Sequence, residues 1–290
     1  MIYDLLISPF SEFQFMQRAL AGSLALCLSG PLIGVFLMLR RMSLTGDAMS
    51  HAILPGAAIG YLIAGLSVEA MTIGGLIAGG IVVLLSGAVS RLTQSGEDSS
   101  LAAFYLISMA LGVLLISTHG SSVDLLHVLF GSALALNDSA LWLLGSITTI
   151  TLLTMAWLFR PLVLECLDPD YLGTVSRAGS WVHMAFLLLA VLNLIAGFHA
   201  LGTLMAVGLM ILPGAAMRYW SASLGGLLAG ACISAFVASF SGLLLSYHLG
   251  WPTSPTIVLC LGGVYLLSLV AGRFGAWRQG QNGRQRHLRG

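Results

Sequence analysis

Long apolar runs alternate with short polar breaks along most of this chain. Ala19 to Leu39 is free of charge for 21 positions. At about 1.5 Å per residue that is enough to cross a hydrocarbon core of about 30 Å. Pro31 predicts a kink inside this run, and Arg40 and Arg41 close it. Ala48 to Val68 is a second run and Ala70 to Ser90 a third, rich in glycine (Gly74, Gly75, Gly79, Gly80). Ser99 to Thr118 and Ser139 to Phe159 follow. Trp181 to Met217 holds 37 residues without Asp, Glu, Lys or Arg, too long for one span, and Gly202 is the expected break. Ser221 to Gly272 is again uncharged, and the Gly250-Trp251-Pro252 turn divides it into two spans.

The polar intervals are as informative. Residues 1–14 are mixed, contain Pro9 and predict an interfacial segment. Arg91 to Ser100 reads as a short loop. His119 to Asp138 is too polar for a span and too apolar for an open loop, so a short surface or re-entrant helix fits it best. Residues 160–180 form the longest internal polar connection, and 273–290 form a tail with five arginines, one histidine and no acid. The pattern predicts an all-α, polytopic membrane protein forming a single transmembrane domain over 1–290. Basic residues concentrate on the cytoplasmic side of membrane proteins. That places the 160–180 loop and the tail in the cytoplasm, and counting back gives nine spans with the N-terminus outside, or eight if one short run does not cross.

Composition narrows the function. The chain is 58% hydrophobic and 8% charged, against roughly 25% charged in soluble domains. A net charge of +1 argues against a nucleic-acid partner, and membrane lipid is the expected surroundings. Cys27, Cys166, Cys232 and Cys260 are far apart and read as small hydrophobes rather than a disulfide framework or zinc cluster. Asp4 and Glu12 precede the first apolar run and no small-residue cleavage site follows a short one, so the first span is expected to act as its own insertion signal. Metalloprotease, serine-hydrolase and phosphate-binding loop motifs are absent, so no catalytic residues are assigned and any ATP hydrolysis belongs to another chain.

Asp47 and His51 stand four residues apart, on one face of a helix, in an otherwise nearly uncharged setting. Intramembrane ionisable residues mark functional sites by default. Carboxylate and imidazole are ligands for Zn²⁺ and acceptable to Mn²⁺. Pro55 has no N–H to offer the His51 carbonyl, so it should open the helix there. A structural Asp–His hydrogen bond, or Asp47 as a helix N-cap, explains the same spacing. Asp124 and His127 also share a helix face and could line a vestibule, although an interfacial amphipathic helix explains them equally. Leu164 to Leu172 mixes Glu165, Asp168 and Asp170 with Leu and Tyr171 around Pro169, a pattern suited to docking in a partner's groove. Gly202 to Ala216 is rich in small residues and holds Pro213, which would free the Leu209 carbonyl of a close-packed helix; plain helix packing is the simpler account. His199 could join a pathway. His119, His183 and His248 read as satisfied or interfacial, and Asn193 as helix–helix glue.

Five segments together resemble one family. Arg40-Arg41-x-Ser43-Leu44-x-Gly46-Asp47-Ala48-x-Ser50-His51-x-x-Leu54-Pro55-Gly56 is similar to the signature of the metal-type ABC permeases, the zinc, manganese and iron class. Asp124 to Gly131 resembles that family's Leu-Phe-Gly segment, and Asp168-Pro169-Asp170-Tyr171 its cytoplasmic loop. Gly202 to Ala216 resembles its small-residue proline helix, and Ser246-Tyr247-His248 with Pro252 and Pro255 its penultimate turn. The resemblance implies a homodimeric permease in a bacterial inner membrane. A cytoplasmic ATP-binding subunit would engage residues 165–171, and an external metal-binding protein would deliver the ion. It also implies that Asp47 and His51 are transient ligands for Zn²⁺ or Mn²⁺, with no permanently bound cofactor. A gradient-driven metal transporter or channel is the alternative mechanism, and iron or an iron chelate the alternative substrate.

Overall fold

The computed structural model describes residues 8–65, 67–92, 97–118, 136–167 and 179–275. These residues form eleven helices: α1 (Ser8–Glu12), α2 (Gln14–Leu39), α3 (Thr45–Ala52), α4 (Leu54–Ala64), α5 (Val68–Leu92), α6 (Glu97–Thr118), α7 (Asp138–Leu167), α8 (Gly179–Leu201), α9 (Thr203–Met217), α10 (Leu224–Leu249) and α11 (Thr253–Ala271). Six of them, α2, α5, α7, α8, α10 and α11, are long and apolar enough to cross a membrane. Two shorter apolar helices lie within α6 and α9. With the α3–α4 pair, these match the expected eight or nine spans in outline.

Several boundaries correct the sequence expectations. The run Ala48–Val68 is two short helices rather than one span. Pro55 lies at the start of α4 and cannot donate to the carbonyl one turn back, so the hydrogen-bond ladder is interrupted at Ile53. The polar connection expected from Arg160 is helical as far as Leu167, because the 30-residue α7 carries through Pro161. The Arg91–Ser100 loop is likewise shortened from both sides, by α5 ending at Leu92 and α6 starting at Glu97. The interfacial N-terminal segment includes α1, whose Phe10 stacks on Phe240 of α10 at 5.2 Å. Pro213 lies inside α9, where it has no N–H to offer the Leu209 carbonyl.

The breaks at Gly202 and Gly250 fall where the sequence placed them. Both residues have positive φ, 90° and 67°, which glycine adopts without a side-chain clash.

The helices α2 and α7 run parallel. Arg18 Nη2 donates to Asp138 Oδ1 at 2.9 Å near their first turns. Arg40 meets Glu165 near their last turns, and Thr148 Oγ1 donates to the Ala25 carbonyl between. Asn137 caps α7, its Oδ1 accepting from the Ala140 N–H at 2.9 Å. At the core, α9 lies hard against α2. A Cβ placed on Gly34 would overlap the Met210 carbonyl oxygen, and Gly30 faces the same stretch of α9 backbone. Small residues of α2, with Gly214 of α9 facing Val35, therefore serve backbone approach, the driving contact for helices in lipid. Similarly, Gly56 of α4 and Gly74 of α5 leave no room for each other's Cβ.

These contacts gather the ends of α2, α7 and α9 with the start of α10 at one end of the bundle. Arg40, Arg41 and Arg218 stand there. Exposed Trp157, Trp181 and Trp220 lie toward this end, with exposed Trp142 and Trp251 toward the other. Two such tiers match the aromatic belts of membrane interfaces.

Candidate metal site

The chain reaches α3 through a tight reversal. The Met42 N–H donates to the Leu37 carbonyl and the Arg41 N–H to the Met38 carbonyl, the two bonds of a Schellman stop. Arg41 takes the left-handed position, φ 62°, that glycine usually fills. Four residues on, α3 begins with Asp47 in its first turn, where a carboxylate complements the helix dipole.

Along α3 the small residues Gly46, Ala48 and Ala52 face inward. Gly46 fits against Met210 and Ile211 of α9, and Ala48 and Ala52 join Val82 and Leu101 in a small cluster. Ser108 Oγ of α6 donates to the Ala52 carbonyl at 2.8 Å. These contacts leave Asp47 and His51 on the open face. Their side chains are 63% and 35% exposed, and His51 Nε2 lies 3.9 Å from Asp47 Oδ1. That is too long for a hydrogen bond, so the Asp–His bond considered as a structural explanation is absent from this structure, and both groups keep their lone pairs for another ligand. The His51 ring lies nearly parallel to Tyr105 of α6, 6.4 Å between centroids. Tyr105 is eight residues into α6, about 12 Å along its axis, which sets the His51 ring about two turns from the start of that helix.

Asp47 and His51 are two candidate ligands at this place. Among the described residues no three His, Cys, Asp or Glu side chains come together as a metal-binding group. A transition metal held by protein alone usually takes about four ligands.

Of the other sequence candidates, Asp124, His127, Asp168, Pro169, Asp170 and Tyr171 lie outside the described residues, as does the side chain of His199, whose backbone belongs to α8. Glu165 is described, and it faces inward. Its carboxylate meets Arg40, and the two side chains are only 12% and 7% exposed. His183 Nδ1 stands 2.8 Å from Arg40 Nη1 and 3.2 Å from Glu165 Oε1. Those two contacts are alternatives: a lone pair on Nδ1 accepts from arginine, whereas an N–H there donates to the carboxylate. The Arg40 guanidinium also lies over the Phe186 ring at 4.8 Å. In the sequence Arg40 reads as the end of a span and the start of the signature stretch, and His183 as a satisfied or interfacial histidine. The rule that intramembrane charges pair with one another was the available signal for joining them to Glu165.

A helical bundle with six apolar helices long enough to cross a membrane defines a multi-pass membrane protein. The comparisons identify which. Residues 12–272 match the ABC 3 transport family, and this chain belongs to that family. It is 30% identical over 262 residues to the manganese import system permease protein ScaB of Streptococcus parasanguinis, covering 90% of this chain and 92% of that one. It is 27% identical to the chelated iron transport system membrane protein YfeD of Yersinia pestis, covering 93% and 89%. The fold superposes on PsaBC from Streptococcus pneumoniae in complex with Fab with a TM-score of 0.83, at 26% identity, over 97% of this chain and 100% of that chain. The protein is thus a bacterial inner-membrane permease of a metal ABC importer, and ATP is hydrolysed by a separate subunit. The gradient-driven alternative gives way to an ATP-driven one.

Proposed function

We propose that two copies of this permease form the path for a divalent transition metal, with Asp47 and His51 of each copy as its transient ligands. The observation that carries this reading is the exposure of that pair on α3, unbonded to each other and facing away from the chain's own core. A carboxylate there offsets part of the cost of stripping water from the ion. Few, exchangeable ligands allow release. Manganese is the first substrate on this reading, supported by similarity to ScaB; zinc suits the same ligand pair. Iron, free or chelated, is the second reading, supported by similarity to YfeD.

The arginine-rich end faces the cytoplasm in this proposal, in line with the positive-inside rule. The ATP-binding subunit engages the 168–171 segment, which follows Glu165 in sequence, and an external metal-binding protein delivers the ion at the opposite face. Closure of the ATPase subunits tilts α7 and α8 and switches access to the site. Uptake of radioactive or mass-labelled Mn²⁺, Zn²⁺ and Fe²⁺ by cells carrying Asp47→Ala or His51→Ala tests it. Loss of uptake of one metal with normal membrane levels of the protein is expected. Unchanged uptake in both variants would sink the site assignment.

A further inference from the structure

The ends of α2 and α9 and the start of α10 enclose a cavity of about 480 Å³ at the arginine-rich end of the bundle. Its walls have two chemistries. Leu39, Leu227 and Phe274 are apolar, whereas Arg41, Arg218 and Ser221 supply two cations and a hydroxyl. Among the described residues no carboxylate lines it and neither arginine takes part in an ion pair.

A second observation points to the same place. Arg41 is the one residue other than glycine with positive φ among the described residues. Glycine would hold that turn without strain. What arginine adds is a cation at the cavity wall. Strained positions of this kind are a reason to look for a ligand. Phe274 of the lining is exposed, as is Trp220, the residue before Ser221, and exposed aromatics suit the level where lipid headgroups meet water. The Phe274 N–H donates to the Tyr219 carbonyl at 2.8 Å, which ties that rim to the α9–α10 turn.

A ligand for this cavity must be anionic at one end and apolar at the other. Basic pockets between transmembrane helices suit acidic lipid headgroups. We propose that the cavity is a headgroup site for an anionic phospholipid of the adjoining leaflet, its phosphate held between Arg41 and Arg218 and its acyl chains leaving over Leu39. Occupancy would clamp α2 to the α9–α10 turn.

The full-length permease, stripped of lipid in detergent, is titrated with phosphatidylglycerol or phosphatidylcholine, and bound lipid is counted by native mass spectrometry. Phosphatidylglycerol should be retained in preference. Arg41→Gln and Arg218→Gln should each weaken retention about fivefold. Arg160→Gln, which removes an exposed arginine of α7 outside the cavity, should leave it unchanged. Ala222→Phe should also reduce retention, since it fills the cavity and keeps both charges, which separates occupancy from any folding defect of the arginine variants. Equal retention of the two lipids, or an equal loss in Arg160→Gln, would overturn the proposal. So would displacement of the lipid by inorganic phosphate, which marks a free-anion site. Weakened binding of the ATPase subunit with lipid retention intact would assign the cavity to a protein partner and overturn it equally.

Discussion

Arg40 at the end of α2 and Glu165 near the end of α7 form a buried ion pair, although they come from opposite halves of the chain. Removing one partner of such a pair strands a charge away from water, at a cost of about 3–5 kcal/mol. Arg40→Met should therefore lower the unfolding temperature of the detergent-solubilised protein sharply. The double variant Arg40→Met with Glu165→Met should recover most of that loss. Equal damage in the single and double variants would mean that the pair itself is not what holds α2 to α7.

Asp47 is exposed and His51 half-buried on their helix, so their removal should cost little stability, within about 1 kcal/mol for the first-turn carboxylate. Asp47→Asn and His51→Ala should reduce metal uptake at least tenfold while leaving thermal unfolding nearly unchanged. A large fall in unfolding temperature would reassign the pair to structure.

Two glycines with opposite surroundings form a matched test. Gly34 has no room for a Cβ against the Met210 carbonyl, so Gly34→Ala must push α2 from α9 and should abolish stable assembly. Gly145, on α7, has nothing within 4 Å of the Cβ position. Gly145→Ala should raise helix stability by about 0.5–1 kcal/mol. Membrane yield and the unfolding midpoint read both.

Pro55→Ala restores an N–H one turn beyond the His51 carbonyl and should join α3 to α4. The expected outcome is a protein about 1 kcal/mol more stable and slower in metal uptake, because the ligand helix is then tied to its successor. Uptake at the native rate would show that the break at Ile53 is dispensable.

Arg41→Gly relieves a left-handed arginine, whose backbone strain is about 1–2 kcal/mol. A higher unfolding temperature is expected in lipid-free detergent. No gain there would mean that the Arg41 side chain contributes as much to the turn as its backbone costs.

Much of this protein was legible in one dimension. Charge-free runs of about twenty residues named the membrane spans, since a helix must be that long to cross hydrocarbon. The breaks at Gly202 and Gly250 were legible because only a residue without Cβ turns so readily. The spacing of Asp47 and His51 placed them on one helix face. Glu165 was read differently. The mixture of acids with Leu and Tyr over 164–172 suggests a docking segment, and α7, continuing through Pro161, turns Glu165 inward onto Arg40 and His183.

The sequence by itself determined the class, the approximate spans and the acid–imidazole pair, because those depend on local period, length and composition. Tertiary structure alone decided which helices run side by side, and with them the Arg40–Glu165–His183 cluster, the open face of α3 and the cavity between Arg41 and Arg218. The physical reason lies in the lipid. Apolar helices gain little from hiding from one another in hydrocarbon, so their pairing is set by where small residues let backbones touch and where charges find partners. Both are properties of two segments at once, and neither segment carries the answer alone.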